Sequence, residues 1–187
     1  MKKAMVVLIL FACTQAQAQN YFSETSGKLK IGGGYASDFP GLNGYAIIGE
    51  YIHALSDNLE GGFGVKRINM SGYPRTASVN EYTKANALDF NLYFLPLSNE
   101  TGKLRIGAGY SFSFYKTRRS YPVVESQGAE KRTSWPVQDA KGRSAGITLS
   151  VEYEYILSPD LSLGAKASFC KAYDHIYYFG PYFSVRL

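Results

Sequence analysis

Ile147-Thr148-Leu149-Ser150-Val151-Glu152-Tyr153-Glu154-Tyr155 alternates without a break between apolar and polar side chains. A helix repeats every 3.6 residues, so this spacing would scatter its apolar groups around the cylinder. A strand repeats every two, and puts Ile147, Leu149, Val151, Tyr153 and Tyr155 on one face, with Glu152 and Glu154 on the other. The same period runs through Leu88/Phe90/Leu92/Phe94 and through Leu104/Ile106/Ala108/Tyr110/Phe112/Phe114. Segments of this kind recur and predict strands at 28–36, 44–54, 59–69, 85–95, 104–115, 145–157, 161–173 and 177–187. Each is near the ~9–11 residues a tilted strand needs to cross a bilayer.

The connections alternate in length. Leu55-Ser56-Asp57-Asn58-Leu59, Leu97-Ser98-Asn99-Glu100-Thr101-Gly102 and Leu157-Ser158-Pro159-Asp160-Leu161 are short and alike, a weak hairpin repeat built on Asp, Asn, Pro and Ser. The others vary: a few residues near 37–43, a loop near 70–84, a long one near 116–144, and a very short one at 174–176. Tight turns at one end and variable loops at the other is the asymmetry of an outer-membrane barrel.

The charges say which face is wet. When each strand takes the parity that groups its large apolar residues, that face has 38 positions and one charge, Arg67. At the chain-wide 19% charged, about seven are expected. The opposite parity carries Lys30, Glu50, Glu60, Lys66, Asp89, Arg105, Glu152, Glu154, Lys166 and Arg186, five acids and five bases. A soluble barrel turns its greasy face inward, and a membrane barrel reverses this. Phe90, Phe94, Phe112, Phe114, Phe179 and Phe183 would together overfill an eight-stranded interior. Glycines recur beside the charges, as suits a narrow lumen, and Tyr51, Tyr153, Tyr155, Tyr173, Tyr177 and Tyr178 sit near strand ends, where such rings meet the lipid–water boundary. Buried ions must pair, so Glu50, Glu152 and Glu154 are expected to meet Arg105, Lys166 and Arg186 in a lattice that plugs the barrel.

The N-terminus reads as an address. Met1-Lys2-Lys3, the apolar run Ala4 to Ala12 and the small-x-small end Ala16-Gln17-Ala18 form the three parts of a secretory signal peptide. The expected organisation is a signal peptide over 1–18 and one barrel domain over 19–187, with a mature net charge of +3. Leu10-Phe11-Ala12-Cys13 loosely resembles a bacterial lipoprotein box, which leaves lipidation of Cys13 as a second option. Only Cys170 remains beside it, so no intrachain disulfide framework is expected despite export. The nine apolar residues are far short of a membrane helix, and 16 Tyr with 11 Phe exclude a disordered chain.

The whole pattern resembles the small eight-stranded outer-membrane β-barrels, of the OmpX and OmpA-transmembrane-domain type. The signal end, the three Leu-Ser turns and the final strand Phe179-Gly180-Pro181-Tyr182-Phe183-Ser184-Val185-Arg186-Leu187 carry the resemblance. Many members of that family end in Phe where this chain has Leu187. The resemblance implies an all-β, antiparallel, up-and-down transmembrane barrel in the bacterial outer membrane, delivered by the outer-membrane assembly machinery. It does not imply one function, since one barrel serves many.

Chemistry is sparse. His53 falls at the turn end of a strand on the lipid-facing parity, and His175 lies in the shortest loop beside Asp174. Neither belongs to the His-x-Ser pair of lipid A deacylase barrels. Gly32-Gly33-Gly34 and Gly61-Gly62-x-Gly64 precede no helix and so lack a phosphate-loop setting. No Cys or His pair has metal-ligand spacing, and no cofactor is expected. The loop 116–144 is basic, with a net charge of +4. Its Arg118, Arg119, Lys131, Arg132 and Trp135 form a candidate patch for lipopolysaccharide phosphates or another acidic extracellular partner; a nucleic-acid partner does not fit this location. The expected role is structural or surface-interaction through the loops. The alternatives are a narrow conduit for small molecules and a lipid-modifying enzyme.

Overall fold

A computed structural model describes residues 27–39, 41–73, 80–121, 123–127 and 130–187. The signal segment and Cys13 lie outside the described residues. Ten strands follow in chain order: β1 Lys28–Asp38, β2 Asn43–Ser56, β3 Leu59–Gly72, β4 Glu81–Ser98, β5 Gly102–Ser120, β6 Val123–Gln127, β7 Glu130–Ser134, β8 Val137–Ile156, β9 Leu161–Lys171 and β10 His175–Arg186. Eight close into an antiparallel barrel in the order β1-β10-β9-β8-β5-β4-β3-β2, while β6 and β7 form a separate hairpin. Closure leaves no edge strand in the wall.

The expected parity sets the two surfaces. Ile31, Phe90, Ile147 and Phe179 point outward and are 55–63% exposed. Lys30, Arg105, Glu152 and Glu154 point inward and are fully buried at 0%. Such a broad greasy exterior is unstable in water and is the solvent-facing surface of a protein in lipid.

The strand ends differ from the expected ones, most of all around the long loop. Residues 116–120 continue β5 and 137–144 continue β8, paired from Lys116↔Lys141 to Ser120↔Val137. Beyond them the β6–β7 hairpin pairs Val123↔Ser134 through Gln127↔Glu130. Much of the expected loop 116–144 is therefore sheet. The reason is the change of solvent along the wall. Above the bilayer the outward face meets water, the period-two hydrophobic signal disappears, and the backbone ladder continues without it.

The three Leu-Ser turns lie together at one end of the barrel, the periplasmic one by the rule that outer-membrane barrels keep their short turns there and their long loops outside. Asn99 accepts hydrogen bonds from the backbone N–H groups of Thr101 at 3.1 Å and Gly102 at 2.8 Å, and Ser158 Oγ accepts one from Leu161 at 3.2 Å. At the opposite, extracellular end, Gly41 turns the β1–β2 connection at φ 100°, and Asp38 accepts from its N–H at 3.0 Å. Only a residue without a Cβ takes that φ freely.

Candidate functional site: a layered lumen and its rims

All eight barrel strands contribute polar groups to the periplasmic half of the lumen. Lys166 on β9 reaches Glu50 on β2 at 3.0 Å and Glu152 on β8 at 2.9 Å. Tyr93 on β4 donates to Glu50 at 2.5 Å and accepts from Lys166 at 2.9 Å. Lys30 on β1 pairs with Glu152, and its ammonium sits 4.8 Å from the centre of the Tyr182 ring on β10. Arg105 on β5 bridges Glu60 on β3 at 2.5 Å and Glu154 on β8 at 2.6 Å. Lys28 completes Glu154 at 2.6 Å. Higher up, Lys66 meets Asp89 at 2.9 Å, and Ser111 donates to the same carboxylate at 2.6 Å.

Glycine makes room for this arrangement. A Cβ at Gly107 would stand 2.6 Å from the Tyr93 ring, and one at Gly62 would stand 2.9 Å from the Glu50 carboxylate. Tyr93 and Glu50 thus occupy a lumen too narrow for them beside larger neighbours.

Toward the extracellular side the lumen changes character. Ala36, Leu42, Ala46, Ile48, Ile68, Met70, Ala85, Ile176 and Tyr178 form a buried apolar layer. Tyr115 and Tyr173 stack on each other with ring centres 4.4 Å apart and pack against it, so Tyr173 and Tyr178 face the interior and not the lipid–water boundary expected of them. Above them lies a clasp in which Arg119 pairs with Asp38 on β1 and with Asp174 in the β9–β10 turn at 2.9 Å, and stands 3.7 Å from Glu81 on β4. Below the charged layer, the barrel opens at the periplasmic end into a depression of about 410 Å³ beside Lys28, Ser162 and Arg186.

The predicted residues divide by place. Lys30, Glu50, Glu60, Lys66, Asp89, Arg105, Glu152, Glu154 and Lys166 are buried in the lumen. Arg186 departs from its expected role: it stands exposed at the last position of β10, past the end of the enclosed lumen. Lys28, outside the expected set, joins the lattice through Glu154, and Lys103 adds a contact with Glu60 at 3.7 Å.

The expected basic patch does not assemble as one surface. Arg118 and Arg119 are consecutive on a strand and must face opposite ways. Arg118 stands outside in a bidentate pair with Asp139 at 2.9 and 3.0 Å, whereas Arg119 is buried in the clasp. Hydrogen bonding to Arg118, reinforced by its charge, holds the Asp139 carboxyl below the usual carboxylate range. Lys131 and Arg132 belong to β7, and Trp135 is half-buried between β7 and β8. His53 lies 6.4 Å from the Tyr51 ring on the outer wall, and His175 lies 5.9 Å from Phe169.

No protein-family model matches the sequence, and no curated protein matches it. Solved structures do. A major outer membrane protein from Thermus thermophilus superposes with a TM-score of 0.61 at 13% identity, over 88% of this chain and 100% of that one. Neisserial surface protein A gives 0.58 at 14%, over 87% and 96%. The attachment invasion locus protein of Yersinia pestis, in complex with the heparin analogue sucrose octasulfate, gives 0.51 at 10%, over 87% and 98%. The fold is that of the small outer-membrane β-barrels, and the architecture is that of an integral outer-membrane protein.

Proposed function

We propose that this chain, exported behind a signal peptide over residues 1–18, is a sealed outer-membrane barrel that acts through its extracellular rim and hairpin, in structural or surface-interaction roles. The observation that carries this reading is the filling of the lumen at two heights. Five cations and four carboxylates interlock in the periplasmic half, and an apolar layer tied down by the Arg119 clasp fills the extracellular half. Ions do not cross a dry apolar layer cheaply, and interlocked charges leave no free path beneath it.

A narrow conduit needs a continuous gap, which this filling opposes. A lipid-modifying enzyme needs a nucleophile within hydrogen-bond reach of a base. Among the described residues, neither His53 nor His175 has a side-chain hydrogen bond to a hydroxyl, thiol or carboxylate. The partners this reading implies are outer-membrane lipid and lipopolysaccharide, the assembly machinery during insertion, and an extracellular ligand. The polysulfated sugar on the Yersinia barrel fits the idea that a barrel of this shape can hold an anionic partner. Planar-bilayer recording tests the reading: the purified chain should give no stable conductance, and a large, steady open state would refute the sealed lumen.

A further inference from the structure

On the outer wall above the greasy belt, cations lie side by side across three strands. The register places Lys84 of β4 opposite Lys116 of β5, and Lys116 opposite Lys141 of β8. All three are exposed. Two residues toward the membrane along the ladder, Arg67 and Arg143 flank a row completed by Asn86 and Phe114. Two residues further, Leu88, Phe112 and Ala145 begin the apolar belt. Like charges directly opposite across strands oppose pairing, yet this wall has two such contacts in succession. Asp139, a carboxylate that feels the charge of Lys116, is held by both arms of Arg118. Among the described residues none of the five cations has a carboxylate within ion-pair distance.

We propose that the Lys84–Lys116–Lys141 row is a binding site for the phosphates of a multiply phosphorylated glycolipid in the outer leaflet, of the lipid A type. The height is the argument for a lipid. The row stands just above Phe114, Phe112 and Leu88, so a ligand that fits both levels carries anions directly over acyl chains. The width is the argument for several phosphates. Strands are ~4.8 Å apart, so the three ammonium groups span about 10 Å, more than the single phosphate of an ordinary phospholipid can neutralise. This inference rests on the bilayer setting of the proposed function and not on the sealed lumen or the loops.

The test uses the mature chain in phosphatidylcholine vesicles carrying dansyl-labelled diphosphoryl lipid A. Trp135, the only tryptophan, serves as energy-transfer donor. Heat-modifiable gel mobility is read first in the same vesicles, and a chain that fails to insert overturns the membrane reading itself. For the inserted chain, lipid A should be preferred over phosphatidylglycerol by about tenfold. K84Q/K116Q/K141Q should remove most of that preference, and added salt should weaken binding. R186Q, at the opposite rim, should leave binding unchanged. Equal binding by the triple variant, or equal affinity for phosphatidylglycerol, overturns the proposal. So does binding of soluble sucrose octasulfate through the row without a lipid A preference, which would assign these lysines to a partner outside the membrane.

Discussion

Glu152 shows how much one buried charge holds. It is fully enclosed and serves both Lys30 and Lys166, and Lys166 has Glu50 as a second partner. Lys30 has no other carboxylate within ion-pair distance among the described residues. E152Q therefore leaves the buried Lys30 without a counter-charge and should cost about 3–5 kcal/mol, read as a lower urea midpoint of the heat-modifiable band. Adding K30M should recover most of the loss, because a missing pair is cheaper than a broken one. Outside the membrane the linkage is gentler. Arg118 lowers the Asp139 carboxyl, so the pair contributes above the usual carboxylate range and fades as pH falls through the lowered value. A nuclear magnetic resonance titration should place the Asp139 midpoint below that of an ordinary aspartate, and R118Q should raise it. Single residues are legible as to side but not as to partner. Period two places Lys30 and Glu152 on the inward face, but which ions meet depends on the stagger between strands, and no local pattern encodes that. Arg186 has inward parity and still ends in water, because parity says nothing of where the enclosure stops.

Strands are most legible where lipid surrounds them. There the outward face must be greasy, so Leu88 to Phe94 and Ile147 to Tyr155 announce themselves. Past the bilayer the constraint lifts. Lys84, Lys116 and Lys141 occupy positions of the same ladders, yet read as loop composition. The β6–β7 hairpin is illegible for the same reason. Its pairing is local, and its base is closed by a backbone hydrogen bond from Tyr121 to Pro136 at 3.3 Å. Replacing residues 122–135 with a tight turn should leave the barrel folded, with heat-modifiable mobility and a melting temperature within a few degrees of the parent. Binding of an extracellular ligand by the hairpin should be lost. In the lumen, G107V should act in the opposite way, displacing Tyr93 and loosening Glu50 and Lys166 together, with a clear fall in stability and no change at the surface.

For the whole cylinder, the assignment of faces predicts what a probe meets. In a C170S background, spin labels at Phe90 and Leu149 should be reached by oxygen dissolved in the bilayer and not by a water-soluble nickel chelate; the reverse would invert the barrel. The connectivity also bears on the order of assembly. The wall closes along the seam of β1 with β10, and the interior ions bridge segments far apart in the chain: Lys166 to Glu50 across 116 residues, Lys30 to Glu152 across 122 and Lys28 to Glu154 across 126. A growing sheet that lacks its later strands therefore holds unmatched ions on its concave side, Lys28, Lys30 and Glu50 among them, and two raw backbone edges, a species that hydrocarbon disfavours on both counts. A chain cut before β9 should therefore enter the bilayer less readily than the complete one, since completeness is what neutralises its hollow side.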